Sequence, residues 1–159
     1  MPTTLTTCTI HLACDHAGFN HKESVRQWLA ENNIIVVDHG AFLLDEADDF
    51  PNFVSKAAAA VSVGPVTNRA IIFGGSGQGE AMVANRYPHV RATVYYGGDE
   101  SIVTLGRQHN DANVLSIGAR FVSEEEAKRV IIIFLSEPFS SNEKYDRRNQ
   151  KIERITRQL

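Results

Sequence analysis

Two cysteines are all that the 159 residues contain, Cys8 and Cys14. They stand six apart in one predicted strand, so they share a face of it but lie too far apart to bond to one another. No disulfide framework is available, and a reduced, cytoplasmic setting is the expectation. An excess of basic charge is also missing: 16 Lys and Arg against 19 Asp and Glu give a formal net charge of −3 and a pI near 6.1, which argues against nucleic acid as the main partner. Local basic clusters remain open. No apolar run approaches the roughly 20 residues that cross a bilayer, and Met1-Pro2-Thr3-Thr4-Leu5-Thr6-Thr7 lacks the basic and long apolar regions of a signal peptide. A soluble chain with no membrane partner is expected. Repeats and low-complexity linkers are absent as well. The six histidines form no HxxxH or comparable ligand pair, so no metal site is expected. No Gly-Lys-Ser or Gly-Lys-Thr is present to make a Walker phosphate loop.

With 43% hydrophobic and 22% charged residues, residues 1–159 fit one globular domain large enough to bury a full core. Short β-rich runs at 8–14, 34–38, 70–73, 91–95 and 113–117 alternate with helical patterns, clearest at 17–31, 51–63, 79–86 and 123–136. Such alternation predicts a parallel sheet with helices on both faces. Ser123 followed by Glu124, Glu125 and Glu126 reads as an N-cap with acidic residues complementing the helix dipole. After Pro138 the chain turns polar, and Ile152, Ile155 and Leu159 make a thin apolar stripe at helical spacing. A surface helix able to pack on a partner is expected there.

Ligands of an open parallel sheet bind beyond the carboxyl ends of the strands, at the point where strand order reverses. That rule selects the loop after the first strand, Asp15-His16-Ala17-Gly18, and the loop after the third, which carries the turn Gly75-Ser76-Gly77-Gln78-Gly79-Glu80. If those strands are neighbours, the two loops line one crevice. The glycine-rich turn suits an anion or oxyanion, because it can aim bare N–H groups at one point at the start of a helix. It is no dinucleotide fingerprint, since Glu80 stands where glycine or alanine is wanted and the turn follows the third strand rather than the first. Glu80 in a first helical turn is favourable for dipole reasons alone. Beside a donor nest it is also a candidate base, because moving a proton next to a carbonyl needs a base plus donors for the developing enediolate oxygen.

Other polar residues carry two readings each. Asp15 and His16 are a helix cap with a solvated neighbour, or site residues. His109-Asn110-Asp111 is a polar turn entering the fifth strand, or part of a site. A residue just before a parallel strand lies at the amino edge of the sheet, opposite the crevice. A catalytic His109 therefore serves the crevice of a second subunit, and a homodimer follows from the mechanism. Lys144 and Arg148, one helical turn apart, and Arg120, just past the fifth strand, are solvated surface charge unless several of them converge on a phosphate.

Taken together, these motifs resemble the ribose-5-phosphate isomerase B family, which includes galactose-6-phosphate and allose-6-phosphate isomerases. The residues carrying the resemblance are Ala13-Cys14-Asp15-His16-Ala17-Gly18, Asp49-Phe50-Pro51, Gly74 to Glu80 with Ala84-Asn85-Arg86, Arg107-Gln108-His109-Asn110-Asp111-Ala112-Asn113, and Gly118-Ala119-Arg120. They run in order over nearly the whole chain. The resemblance implies a three-layer α/β/α sandwich around a Rossmann-like five-stranded parallel sheet with an additional C-terminal helix, assembled as dimers, or dimers of dimers, with shared active sites. It implies interconversion of ribose 5-phosphate and ribulose 5-phosphate, as in the pentose phosphate pathway, without metal or organic cofactor. Glu80 would be the base that moves a proton between C1 and C2 of the open-chain sugar. Gly75, Ser76, Gly77, Gln78 and Gly79 would hold the enediolate oxygens, with the Ser76 hydroxyl assisting. His109 would act as the acid that opens the furanose ring, with Asp15 near the ring oxygen, and Asn110 would contact the sugar. His16, Arg120, Lys144 and Arg148 would hold the phosphate, whose binding energy fixes a small sugar for reaction.

The chain also departs from the family pattern. Many members use a cysteine base at the position of Gly74, so this chain resembles the subgroup with a carboxylate base, and neither Cys8 nor Cys14 replaces that thiol. Arginine is common where Lys144 stands, and lysine gives no bidentate grip on phosphate; Arg147 or Arg148 is the alternative. The loop Tyr96-Gly97-Gly98-Asp99-Glu100 is longer than usual and lies near the sugar site, so a six-carbon sugar phosphate is the nearest alternative substrate. From another class, the rival is a phosphosugar-binding module without turnover, against which Glu80 and His109 together argue.

Overall fold

The computed structural model describes residues 5–158. Met1 to Thr4, and Leu159 at the end of the expected apolar stripe, lie outside them. Five strands, β1 (Thr9–Cys14), β2 (Val36–Asp38), β3 (Asn68–Gly74), β4 (Ala92–Tyr95) and β5 (Val114–Gly118), form one sheet in the order β2-β1-β3-β5-β4, and every pairing is parallel. The helices are α1 (Phe19–Glu31), α2 (Pro51–Val63), α3 (Gln78–Ala84), α4 (Ser101–Asn110), α5 (Glu124–Ser136) and α6 (Glu143–Arg157), with a short 3-10 turn at His16–Gly18. None among the described residues is long and apolar enough to cross a membrane.

Alternation along the strands builds two cores. Ile10, Leu12 and Cys14 of β1 face the same side as Ile71 and Phe73 of β3 and Leu115 and Ile117 of β5, where α1, α4 and α5 cover them. Ala13, Ala70, Ile72 and Val114 face the other side, beneath α2 and α3. The buried residues of α2 (Val54, Ala57, Ala58, Val61) and of α5 (Ala127, Val130, Ile131, Phe134, Leu135) recur at helical spacing, so each helix lays one stripe on the sheet. Pro51 occupies the first turn of α2, where its missing N–H costs nothing. Ser123 caps α5 by accepting the Glu126 N–H, as expected from the sequence. The three layers and the parallel sheet are those anticipated.

The expected elements recur with shifted ends: β1 starts at Thr9, leaving Cys8 outside it, and the helix expected at 79–86 spans Gln78–Ala84. One helix was not anticipated. Residues 101–110 form α4, with Val103, Gly106 and Arg107 turned inward, so His109 and Asn110 belong to its last turn rather than to a polar turn. Asp111 ends it in the left-handed region at φ +47°. Arg107, 3% exposed, pins this end through Asp111 (2.8 Å) and the carbonyls of Ala112 and Glu137.

Candidate active site

β1 and β3 are neighbours, with Cys14 opposite Phe73 at their carboxyl ends, and strand order reverses between them. The two chosen loops therefore share one crevice. Asp15 caps the 3-10 turn, its carboxylate accepting the N–H groups of Ala17 (3.0 Å) and Gly18 (3.3 Å). Gly18 seats that turn on β3: a Cβ there would lie 2.5 Å from Phe73 Cβ and 2.7 Å from the Phe73 carbonyl.

The glycine turn is held from β5. Ser116 Oγ donates to the Gly77 carbonyl at 2.6 Å, and Gly77 takes φ +77°, a backbone state glycine adopts without strain. Among the described residues no hydrogen bond engages the N–H groups of Gly75, Ser76 or Gly77, so the donors are open to a ligand. Ser76 Oγ accepts the Gln78 N–H at 3.4 Å. Gly79 lies against the Phe50 ring, 2.7 Å from where its Cβ would stand, which ties the turn to the Asp49-Phe50-Pro51 segment.

Glu80 is 4% exposed and folds back over Gly74. A Cβ at position 74 would fall 1.8 Å from Glu80 Oε1 and 2.0 Å from its carboxyl carbon. A side chain at 74 and a carboxylate from 80 thus compete for one volume. The direction of the Glu80 pKa, which the sequence left open, is upward: burial raises it most, the residue's own N–H opposes, and the Asp15 carboxylate pushes the same way as burial. Desolvation outweighs the helix start. Cys14 is no rival base, since burial pushes its thiol up to about 12.

Two of the four expected phosphate ligands stand at this edge. Arg120 lies over the turn, its Nη1 3.2 Å from where a Gly75 Cβ would be, and its N–H bonds the Gly75 carbonyl at 3.1 Å. His16 is near enough to feel the Arg120 charge. It pairs with Asp48, a residue that reading the sequence missed; Asp15, His16 and Asp48 place their ligating atoms within 4.8 Å of one another. The 2.7 Å contact between His16 Nδ1 and Asp48 Oδ1 is a hydrogen bond to a carboxylate acceptor, and Asp15 stands beside that pair. The only signal for Asp48 was its place directly before Asp49-Phe50-Pro51, within an acidic stretch that reads as solvated loop.

The remaining candidates gather at the opposite edge. The His109 ring stacks on Tyr145 at 4.1 Å between centroids, the Lys144 ammonium lies 4.9 Å from the Tyr145 centroid, and Asn149 donates to the His109 carbonyl. Asn110 and Arg148 are exposed beside them, while Arg147 is engaged by Glu143 at 2.9 Å. β5, five residues long, separates this group from the crevice by roughly 16 Å at about 3.3 Å per residue. Within one chain, then, Glu80, Asp15, His16, Ser76 and Arg120 come together, and His109, Asn110, Lys144 and Arg148 do not join them. A cavity of about 290 Å³ also lies at the amino edge, lined in part by Arg91, Arg107, Asp111 and Glu153. Four of its charged residues pair with one another, Arg91 with Glu153 at 2.9 Å and Arg107 with Asp111 at 2.8 Å, and Arg69 donates to the carbonyls of Phe134 and Leu135.

A family model described as Ribose/Galactose Isomerase matches residues 10–152. Ribose-5-phosphate isomerase B of Escherichia coli is 35% identical over 147 residues, covering 92% of this chain and 93% of that protein. The protein of the same name from Mycolicibacterium paratuberculosis is 34% identical over 139 residues, covering 87% and 86%. A crystal structure of ribose-5-phosphate isomerase B from Mycoplasma genitalium with bound ribulose-5-phosphate superposes with a TM-score of 0.91 at 31% identity, covering 97% of this chain and 99% of that one.

Proposed function

Because this chain belongs to the ribose/galactose isomerase family, we propose that it interconverts ribose 5-phosphate and ribulose 5-phosphate by moving a proton between C1 and C2. The observation that carries the residue assignment is the buried Glu80 carboxylate, placed over Gly74 beside Asp15 and a turn with unengaged N–H groups. Burial raises its pKa, which makes the carboxylate a stronger base and brings its pKa closer to the working pH, where one group can take a proton and return it. Ser76 and the 75–79 turn hold the oxygens on C1 and C2 as the enediolate forms. Asp15 sits at the ring oxygen. His109 delivers the proton that opens the furanose, and Asn110 holds the sugar hydroxyls.

His109 and Glu80 lie at opposite edges of one chain, so the reading requires a second copy, whose His109, Asn110, Lys144 and Arg148 complete the crevice. His16 and Arg120 of one copy and Lys144 and Arg148 of the other then surround the phosphate. Exposed apolar residues around the crevice support such an assembly: Tyr96 and Phe121, both more than half exposed, meet edge to face at 6.2 Å next to Arg120, and Met82 projects from α3. The unit is thus a homodimer of single-domain chains. Its free thiols, Cys8 and Cys14, suit the cytoplasm.

Turnover of ribose 5-phosphate by the wild type and by Glu80→Gln, with binding measured in parallel, tests the assignment. Loss of turnover with binding retained is expected. Turnover unaffected by Glu80→Gln would remove Glu80 as the base, and binding without turnover in the wild type would make the chain a sugar-phosphate binding module.

A further inference from the structure

Asp48 stands in the crevice without a role in the proposed chemistry, and its surroundings are unusual for a loop acid. Its side chain is only 7% exposed. Oδ1 accepts two hydrogen bonds from the same residue, the His16 N–H at 3.0 Å and His16 Nδ1 at 2.7 Å. Oδ2 is buried and has no partner among the described residues. A carboxylate so placed has His16 as its direct counter-charge, and it fixes the imidazole with Nδ1 protonated and Nε2 directed away, on a ring that is 27% exposed.

We propose that Asp48 is a positioning residue that holds His16 as an imidazolium whose Nε2–H is presented to the phosphate group of the substrate. The proposal rests on the reading of the chain as a sugar-phosphate isomerase. A neutral imidazole with its proton kept on Nδ1 would turn the bare Nε2 lone pair toward the phosphate, and two acceptors would then face one another. Only the doubly protonated ring donates from both nitrogens, and the Asp48 carboxylate favours that form. The other charges facing His16 are Asp15, which works with Asp48, and Arg120, which works against it. The net effect is upward, with the Asp48 hydrogen bond the largest cause.

The phosphate of the substrate becomes a dianion above pH about 6, and His16 keeps its charge up to its raised pKa. Tight binding therefore occupies a window between those two values. Asp48→Asn keeps an oxygen for Nδ1–H but removes the charge, so it closes the window from the alkaline side.

The experiment measures kcat and KM for ribose 5-phosphate between pH 6 and 9 in the wild type and in Asp48→Asn, kcat/KM for unphosphorylated ribose in both, and the His16 titration by NMR. The expected result is a KM rise that approaches about tenfold for a one-unit fall in the His16 pKa on the alkaline side of the wild-type His16 midpoint. kcat should be nearly unchanged, kcat/KM on ribose should be unchanged, and the His16 midpoint should drop. In a His16→Gln background the Asp48→Asn change should add nothing to KM. Should Asp48→Asn not fold, the wild-type NMR titration decides: a His16 midpoint at or below the ordinary histidine value overturns the proposal. An equal loss on ribose, or an unshifted pH profile, overturns it too. Wild type inactive on ribose 5-phosphate brings down the isomerase reading and the proposal together, whereas an active wild type with an unshifted Asp48→Asn profile brings down the proposal alone.

Discussion

A Cβ at position 74 would stand 1.8 Å from Glu80 Oε1, so Gly74→Ala must move the carboxylate although the backbone of that position tolerates alanine. Displacing a base by about 1 Å costs roughly 10²-fold in turnover, and the added methyl overpacks the site by about 1–3 kcal/mol. Steady-state kinetics and thermal melts on Gly74→Ala are expected to show the first loss exceeding what the second explains. Glu80→Gln removes a general base and should lower kcat by about 10²–10⁴. The same substitution should stabilise the fold. A carboxyl whose folded pKa is raised favours the native state below its unfolded value and penalises it once pH has risen through the folded pKa. At pH 8 the Glu80→Gln melting temperature should accordingly exceed that of the wild type, and the gap should close as pH falls below about 4.3. Glu80 was legible in the sequence as a candidate base because it stands beside a glycine turn able to act as a donor nest. Its protonation tendency was not, since that depends on how deeply the residue is buried, and Asp48 stayed hidden because its partner is 32 residues away.

Among the elements, β1 and the residue just past β2 hold a histidine pair that the site does not use. His11 Nδ1 and His39 Nε2 share a proton at 2.8 Å, the rings stack at 5.1 Å, and His11 Nε2 is buried without a partner among the described residues. Burial lowers both pKa values, and for His39 the neighbouring His11 and Lys56 charges lower it further. A histidine depressed in the folded state takes its proton first in the unfolded chain. Stability from this pair is thus fully present above about 6.5 and is lost as pH falls from there through the folded pKa. Melts between pH 8 and 5 should show the wild type losing more than His39→Gln, on a scale of about 2–4 °C per kcal/mol for a chain of this size. Equal losses would show that the pair carries none of the acid sensitivity. Strands and long helices were readable from apolar periodicity, which survives in α2 and α5. α4 escaped because its buried face is made of Val103, Gly106 and Arg107. Only one of these is a large apolar residue. Gly106 is dictated by packing on Thr93, whose Oγ1 would lie 3.2 Å from an added Cβ, and no local rule anticipates that contact.

In the proposed reading the whole molecule presents half a site at each edge of its sheet. Glu80, Asp15, His16 and Arg120 stand at the carboxyl ends of β1, β3 and β5, while His109 and Lys144 flank Tyr145 at the amino ends. A parallel sheet built by helical crossovers separates its two edges by the length of its strands, so no rearrangement that keeps this fold joins the halves within a chain. Two copies related by a twofold axis can join them twice over. Sequence order foretold the separation, because His109 precedes a strand and Glu80 follows one, but the matching surface is a property of shape that only coordinates carry. Coexpression of Glu80→Gln with His109→Asn, each expected to be inactive by itself, tests the account most directly. A mixed dimer pairs the intact Glu80 of one copy with the intact His109 of the other, and random assembly should restore about a quarter of wild-type activity, since half the dimers are mixed and each has one whole site of two. Purified mixed dimers with no activity would place Glu80 and His109 of the same chain in one site and contradict the account.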